Sequence, residues 1–288
     1  MTSSQEQHQP LNTAALTLIR YIVKLLGQID ARLAARYAFR LWHTTQRFKL
    51  PTREGVWRQQ AHAIQLTSAG KKLVVYEWGK GPNVLLIHGW SGRGMQFGAM
   101  AAGLQRAGYR AVAVDLPAHG QSSGKRTNAY LMADAILEVA AHYKDVHGVV
   151  SHSFGMLPVL LALRRQLVAQ HIVAICPPDS MLPLFDIFCK SLHISPDIKQ
   201  ALRQLTEKHY GDTIWEDVSP ASNVKSLGQP ALIIHDENDK ELSWHRGRAL
   251  ADQWPDTEFQ LTQGLGHRRI LRDNGVIGQV ADYLDNNH

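Results

Sequence analysis

A five-residue segment, Ser151-His152-Ser153-Phe154-Gly155, limits what this chain can fold into more than any other stretch. The five residues before it, Val146 to Val150, include three valines, and the run after it, Met156 to Leu167, carries apolar residues at helical spacing. A short buried strand therefore hands over to a helix within a few residues, and Ser153 sits on the turn. A reversal that sharp brings neighbouring backbone against the residues two before and two after the serine, so both must be small. Gly155 meets this directly, and Ser151 meets it with a hydroxymethyl group where a glycine would be expected. A serine so placed is strained, exposed and aimed outward from the strand end.

The same alternation of short apolar runs and helical spacing extends through most of the 288 residues. Runs at 61–66, 72–78, 83–87, 110–114, 146–150, 172–176, 231–235 and 257–261 read as strands. After the third of them, helical stretches at 94–106, 129–143, 154–166, 243–253 and 269–284 intervene. This order specifies a mostly parallel eight-stranded sheet with helices on both faces, opened by an antiparallel pair. One interval breaks the rhythm: between Pro177-Pro178 and Pro230 there is no strand-like run, only helical spacing at 181–192 and 196–210. Its apolar residues, Phe185 and Phe188 among them, suit a pocket lining, but any such helix needs an apolar face simply to dock.

Four further segments acquire meaning from their order around Ser153. Downstream, the run Ala231 to Ile234 ends in His235-Asp236-Glu237-Asn238-Asp239, and Gly264-Leu265-Gly266-His267 follows the last strand-like run. Upstream, Asn83 to Ile87 ends at His88-Gly89-Trp90-Ser91-Gly92. Between them, Asp115-Leu116-Pro117-Ala118-His119-Gly120-Gln121-Ser122 resembles an Asp-x-Pro-Gly-His-Gly-x-Ser loop, with alanine at the first glycine. Serine, then acid, then histidine is the chain order of α/β-hydrolases, whereas other serine hydrolases build the same geometry in other orders. From about Val74 onward the chain resembles the α/β-hydrolase superfamily, with Ser153 at the nucleophile elbow.

The resemblance implies an α/β-hydrolase fold with a small helical cap at about residues 178–229. It makes Ser153 the nucleophile, His267 the base and Asp239 the acid, with Asp236 the alternative, and it gives the oxyanion hole to the backbone N–H groups of Trp90 and Phe154. The expected chemistry is hydrolysis of carboxylic esters with small to medium apolar acyl groups, through an acyl-enzyme. Thioesterase, lipase, other acyl hydrolase or acyltransferase activity on the same triad remains open, as does a catalytically silent binding module. A serine at the elbow argues against haloalkane dehalogenase and epoxide hydrolase chemistry, which use aspartate there. His88 and His119 are expected to brace their loops, Asp115 to fix a turn, and Ser91 either to contact a leaving group or to cap the next helix.

Cys176 and Cys189 offer neither a disulfide framework nor a metal site, and the fifteen histidines lack compact ligand spacing, so no metal or other cofactor and a reducing, cytoplasmic setting are expected. The net charge of +6 is confined to residues 1–60, where nine lysines and arginines meet three acids, while the remaining 22 bases and 22 acids balance. In that segment Ala15, Leu18, Ile22, Leu25, Ile29 and Leu33 recur on one side of a helix, with Arg20, Lys24, Gln28 and Arg32 elsewhere. It has neither the layout of a secretory signal nor an unbroken span. Such a helix either packs on the rest of the chain or lies on an anionic membrane surface or a partner; no nucleic-acid motif accompanies the charge. The expected organisation is a basic extension at 1–58 and a hydrolase domain at 59–288, with a small-molecule ester as partner and the oligomeric state open.

Overall fold

The computed structural model describes residues 13–285. In chain order, α1 (Thr13–Ile29), α2 (Ala31–Trp42) and α3 (Thr52–Gln60) precede β1 (His62–Ser68), β2 (Lys71–Trp78) and β3 (Asn83–Ile87). Strands and helices then alternate through α4 (Gly98–Arg106), β4 (Arg110–Asp115), α5 (Ala129–Tyr143), β5 (Val146–His152), α6 (Met156–Arg164) and β6 (His171–Ile175). Helices α7 (Met181–Ser191) and α8 (Pro196–Tyr210) follow, then β7 (Ala231–Asp236) and β8 (Thr257–Thr262). Helix Trp244–Ala251 joins the last two strands, and helix Asn274–Asp285 ends the described chain. The residues divide into two compact units: Thr44–Met181 with the chain from Glu216 onward, and the chain up to His43 with Leu182–Trp215.

The larger unit is built on one eight-stranded sheet in the order β1-β2-β4-β3-β5-β6-β7-β8. Strand β2 pairs antiparallel with both β1 and β4, and every other pairing is parallel. Every residue of β3, β6 and β7 is buried, as a parallel strand covered on both faces requires, whereas β1 and β8 at the edges alternate with solvent. Val84, Leu86, Ala111, Ala113, Val173 and Leu232 turn one face of the sheet toward a core shared with Leu104 of α4 and Ile277 and Val280 of the C-terminal helix. Leu85, Ile87, Val112, Val114, Ile172 and Ile233 alternate with them and are equally buried, so they face the other side. The chain runs from β3 to β4 on one side and then crosses to β5 on the other, and this reversal opens a crevice at the C-terminal ends of β3 and β5.

The smaller unit packs α2 along α8 and α1 against α2. Val23, Ala34 and Ile198 form its buried centre, and Phe185 is enclosed by Trp42 and Trp215 at ring-centroid distances of 5.8 and 5.0 Å. The Tyr210 hydroxyl donates to Nε2 of His43 at 2.7 Å, while Nδ1 of the same ring donates to the Phe39 carbonyl, fastening the end of α2 to the end of α8. One sequence expectation changes here. The single amphipathic helix expected through Leu33 is broken at Asp30, whose extended backbone and side chain cap α2 by accepting from the Arg32 N–H at 2.6 Å. Of the apolar stripe read from the sequence, Leu18, Leu25 and Ile29 are exposed, while Val23 is buried, with Ile19 and Leu26 packed beside it. No helix among the described residues is long and apolar enough to cross a membrane.

Candidate active site

Strand β5 ends in extended backbone at His152, and Ser153 then takes φ = 53°, the left-handed region that L side chains avoid. The chain has no room to relax this turn. A Cβ on Gly155 would lie 2.6 Å from the Ile87 carbonyl oxygen and 2.7 Å from that of His88, and one on Gly89 would lie 3.0 Å from Cβ of Ser153. Ser151 fits because its fully buried hydroxyl donates to the Val173 carbonyl at 3.2 Å. The Trp90 and Phe154 rings meet edge to face at 5.1 Å, so the loop after β3 and the turn after β5 are packed together.

Two neutral imidazoles hold the loops on the β3 and β4 side. His88 donates from Nδ1 to the Gly89 carbonyl at 2.7 Å and accepts the Leu116 N–H at Nε2. His119 donates to the Pro117 carbonyl and accepts the Ser91 N–H at 2.9 Å. Burial pushes the His88 pKa down to about 4, and burial together with the neighbouring His88 pushes His119 down to about 3. Asp115 accepts the Gly94 and Gln121 N–H groups at 2.7 and 2.8 Å and fixes the turn expected of it. Ser91 does not cap the next helix, whose N-cap is Arg93: at φ = 55° its hydroxyl accepts the Gln46 N–H at 3.0 Å. The segment Thr45–Arg47 straps this loop pair, with the Thr45 hydroxyl and the Arg47 guanidinium both donating to the Ala118 carbonyl.

On the β7 and β8 side the two candidate carboxylates part company. Asp236, fully buried, accepts the Asn238 and Gly266 N–H groups on one oxygen and the Leu265 N–H and Thr262 hydroxyl on the other, all at 2.8–3.0 Å. It anchors the loop that carries the histidine. Asp239 accepts Nδ1–H of His267 on Oδ2 at 2.6 Å, while its Oδ1 takes the Glu241 and Leu242 N–H groups at 2.8 and 2.9 Å. Burial would raise the Asp239 carboxyl, but the hydrogen bonds from His235 and His267 outweigh it and hold the group well below the usual carboxylate range.

Three more residues complete the arrangement. Nε2 of His235 stands 3.3 Å from Oδ2 of Asp239 and 3.1 Å from the Leu242 carbonyl, so that nitrogen carries the proton. Its Nδ1 is buried without a partner among the described residues, against Gly247, where a Cβ would lie 2.5 Å away. Nε2 of His152 donates to the His267 carbonyl at 2.7 Å, tying the residue before Ser153 to the histidine loop. Cys176, at φ = 50° just after β6, holds its thiol within 4.8 Å of an Asp239 carboxylate oxygen, and its pKa is raised by burial and then by the Asp239 charge. The spacing of His235 four residues before Asp239 was the signal available for the first, and the place of His152 next to Ser153 for the second; nothing local marks Cys176.

Among the described residues, two groups of side chains could hold a metal: His152, Cys176 and His267, and Cys176, His235 and Asp239, each with ligand atoms within 4.8 Å of one another. The donor set fits a metal poorly. The thiol they share is held protonated, and the His267 and Asp239 atoms that face each other are already joined by a short hydrogen bond.

A model of the alpha/beta hydrolase family matches residues 84–277, the segment from β3 to the C-terminal helix. The chain belongs to this family. No curated protein matches it. Among solved structures, this alpha/beta hydrolase is similar to an esterase from Exiguobacterium antarcticum at 15% identity, covering 78% of this chain and 100% of that one, with a TM-score of 0.61. It is also similar to a meta-cleavage product hydrolase from Pseudomonas fluorescens at 16% identity, covering 79% of this chain and 98% of that one, with a TM-score of 0.60. A bacterial membrane phospholipase A is similar at 16% identity over 96% of this chain and 98% of its own, with a TM-score of 0.63. Likeness at such identities is likeness of fold.

Proposed function

We propose that this alpha/beta hydrolase is a serine esterase that cleaves carboxylic esters of small to medium, largely apolar acyl groups through an acyl-enzyme on Ser153. The observation that carries the reading is the 2.6 Å bond from Nδ1 of His267 to Asp239, which fixes the proton on that nitrogen and leaves Nε2 of the ring as the base. Nε2 takes the Ser153 hydroxyl proton as Oγ attacks the ester carbonyl, and the resulting oxyanion is held by the N–H groups of Trp90 and Phe154. Collapse breaks the bond to the alkoxy group, which leaves with the proton from His267. Water then gives its proton to the same nitrogen, attacks the acyl carbon, and the acid departs as Oγ recovers the proton. Asp239 stabilises the imidazolium formed in each half and does not take the proton itself.

The esterase and phospholipase named among similar structures agree with an ester as the substrate class. The insertion between β6 and β7 carries α7 and α8. The test is labelling by a fluorophosphonate, followed by hydrolysis of p-nitrophenyl esters of graded chain length. Wild type is expected to label and to favour short or medium chains, and Ser153→Ala to lose labelling and about 10⁶-fold in turnover. Folded wild-type protein that neither labels nor hydrolyses any ester in the series would overturn the reading.

A further inference from the structure

Helix α1 carries two apolar faces where a docked surface helix needs only one. The inner face, through Ile19, Val23 and Leu26, is taken up by the core of the smaller unit. The outer face consists of Leu18, Tyr21, Leu25 and Ile29, which are 58%, 57%, 41% and 74% exposed. Their spacing places all four within about one third of the helix circumference, so they form one stripe rather than scattered contacts. A stripe of that size on a charged helix pair has a cost in water that only an occupant removes.

The charges beside the stripe decide which occupant suits it. Within residues 13–43, Arg20, Lys24, Arg32, Arg36 and Arg40 face a single acid, Asp30. Asp30 is spent on capping α2, and Arg32, Arg36 and Arg40 stand exposed on successive turns of that helix. The insertion residues 182–215 contribute four bases and four acids and so leave this positive charge intact. A second copy docking through the same stripe would set these cations against their own symmetry mates. Beside the stripe, α1 and the start of α8 enclose an open groove of about 580 Å³ whose polar rim includes Arg20, Lys24 and His193, and none of the residues lining it is acidic. Its basic, acid-free lining suits the phosphate of a lipid headgroup.

We propose that α1 lies on an anionic lipid bilayer, with Leu18, Tyr21, Leu25 and Ile29 entering the headgroup–acyl boundary and the cations of α1 and α2 pairing with lipid phosphates. The device is interfacial and reversible. A handful of apolar side chains plus about five cations anchors weakly, and high salt loosens it. The surface stands on the two helices alone and is independent of the reaction at Ser153.

The experiment is co-sedimentation of the full chain with vesicles of pure phosphatidylcholine and with vesicles containing about one third phosphatidylglycerol. Wild type is expected on the anionic vesicles and not on the neutral ones, with release at high salt. The triple variant Leu18→Ser, Leu25→Ser, Ile29→Ser should lose about 100-fold or more in partitioning, and Arg32→Gln with Arg36→Gln about 5-fold per cation. All of these positions are exposed, so circular dichroism and wild-type turnover of a water-soluble ester should certify folding; a variant that fails this check is replaced by Ile29→Ser alone. Failure of wild type to bind anionic vesicles overturns the proposal. So does binding that the triple variant leaves unchanged, or a wild-type dimer in solution that the same variant dissociates, which would make the stripe a contact between copies.

Discussion

Asp236 and Asp239 lie three residues apart, both with buried side chains, and replacing each with asparagine should damage different properties. In Asp239→Asn the Glu241 and Leu242 N–H groups keep the amide oxygen on their side, so the new NH₂ faces His267 and His235. Nδ1 of His267 must then accept, its proton moves to Nε2, and the base is lost. The expected fall in turnover is about 10⁴-fold. The cost in stability should be about 1–2 kcal/mol, because the imidazole can accommodate the amide by changing tautomer while His235 loses one charge-assisted bond. In Asp236→Asn no orientation succeeds, since each carboxylate oxygen accepts two donors and the NH₂ must face one pair. Charge-assisted bonds are worth about 1.5–3 kcal/mol each, and the Thr262 hydroxyl can rotate to relieve one, so a loss of about 3–4 kcal/mol is expected. The loop carrying His267 loosens, but its chemistry survives in molecules that remain folded. Turnover of a p-nitrophenyl ester and urea unfolding, measured on both variants, separate the effects. The reasoning fails if Asp239→Asn keeps more than about a tenth of wild-type turnover, or if Asp236→Asn loses as much activity at an unchanged unfolding midpoint.

Three further outcomes follow from local geometry. Gly155→Ala would drive a Cβ to 2.6 Å from the Ile87 carbonyl and should abolish activity and cost about 3 kcal/mol or more in urea unfolding. Gly278→Ala, with nothing within 4 Å of the new methyl on the C-terminal helix, should instead stabilise by about 0.5–1 kcal/mol and raise the melting temperature. Glu54 and Arg93 form a bidentate pair at 2.6 Å that is almost wholly buried, so Glu54→Gln should cost about 3–5 kcal/mol by stranding the guanidinium. Exchanging both partners for leucine and methionine should recover most of that loss, as a double-mutant cycle would report.

The strands and the elbow were legible because burial and sterics are local in sequence. Apolar runs fell at the eight strands, and small residues stood where Ser153 turns. The helix ends were less so: the final helix starts at Asn274, because residues 266–272 form short turns that bring His267 to Asp239. The preference for Asp239 came from a spacing pattern, and its physical reason, the saturation of Asp236 by four donors, belongs to the folded loop alone. The partners of Cys176 and His152 could not have been read out, since each lies at least 60 residues away. The two faces of α1 share one periodicity, and only the contacts of Val23 with its neighbours decide which face is inside.

The buried histidines explain how the site is braced and predict where it fails. A neutral imidazole carries one donor and one acceptor in a rigid plane, which suits a loop that must satisfy a carbonyl and an N–H at once. His88 and His119 both serve in this way, and their rings lie 4.8 Å apart. Protonation would turn each acceptor into a donor facing an N–H, Leu116 for one and Ser91 for the other. The folded chain therefore resists protonation until about pH 4 at His88 and about pH 3 at His119, whereas the unfolded chain takes up protons near 6.5. Folded pKa values below the unfolded value mean that the stability is complete above about 6.5 and falls as pH drops below it. For His88 the difference corresponds to roughly 3 kcal/mol once pH reaches about 4. Depressed carboxylates such as Asp239 act only below the ordinary carboxylate range, so the interval from about pH 6.5 to 4.5 isolates the histidines. Urea unfolding across that interval should give a steep decline in wild type and a shallower one in His119→Gln, whose amide offers the same donor and acceptor without titrating. Equal slopes in the two proteins would mean that these imidazoles are not what the fold holds neutral.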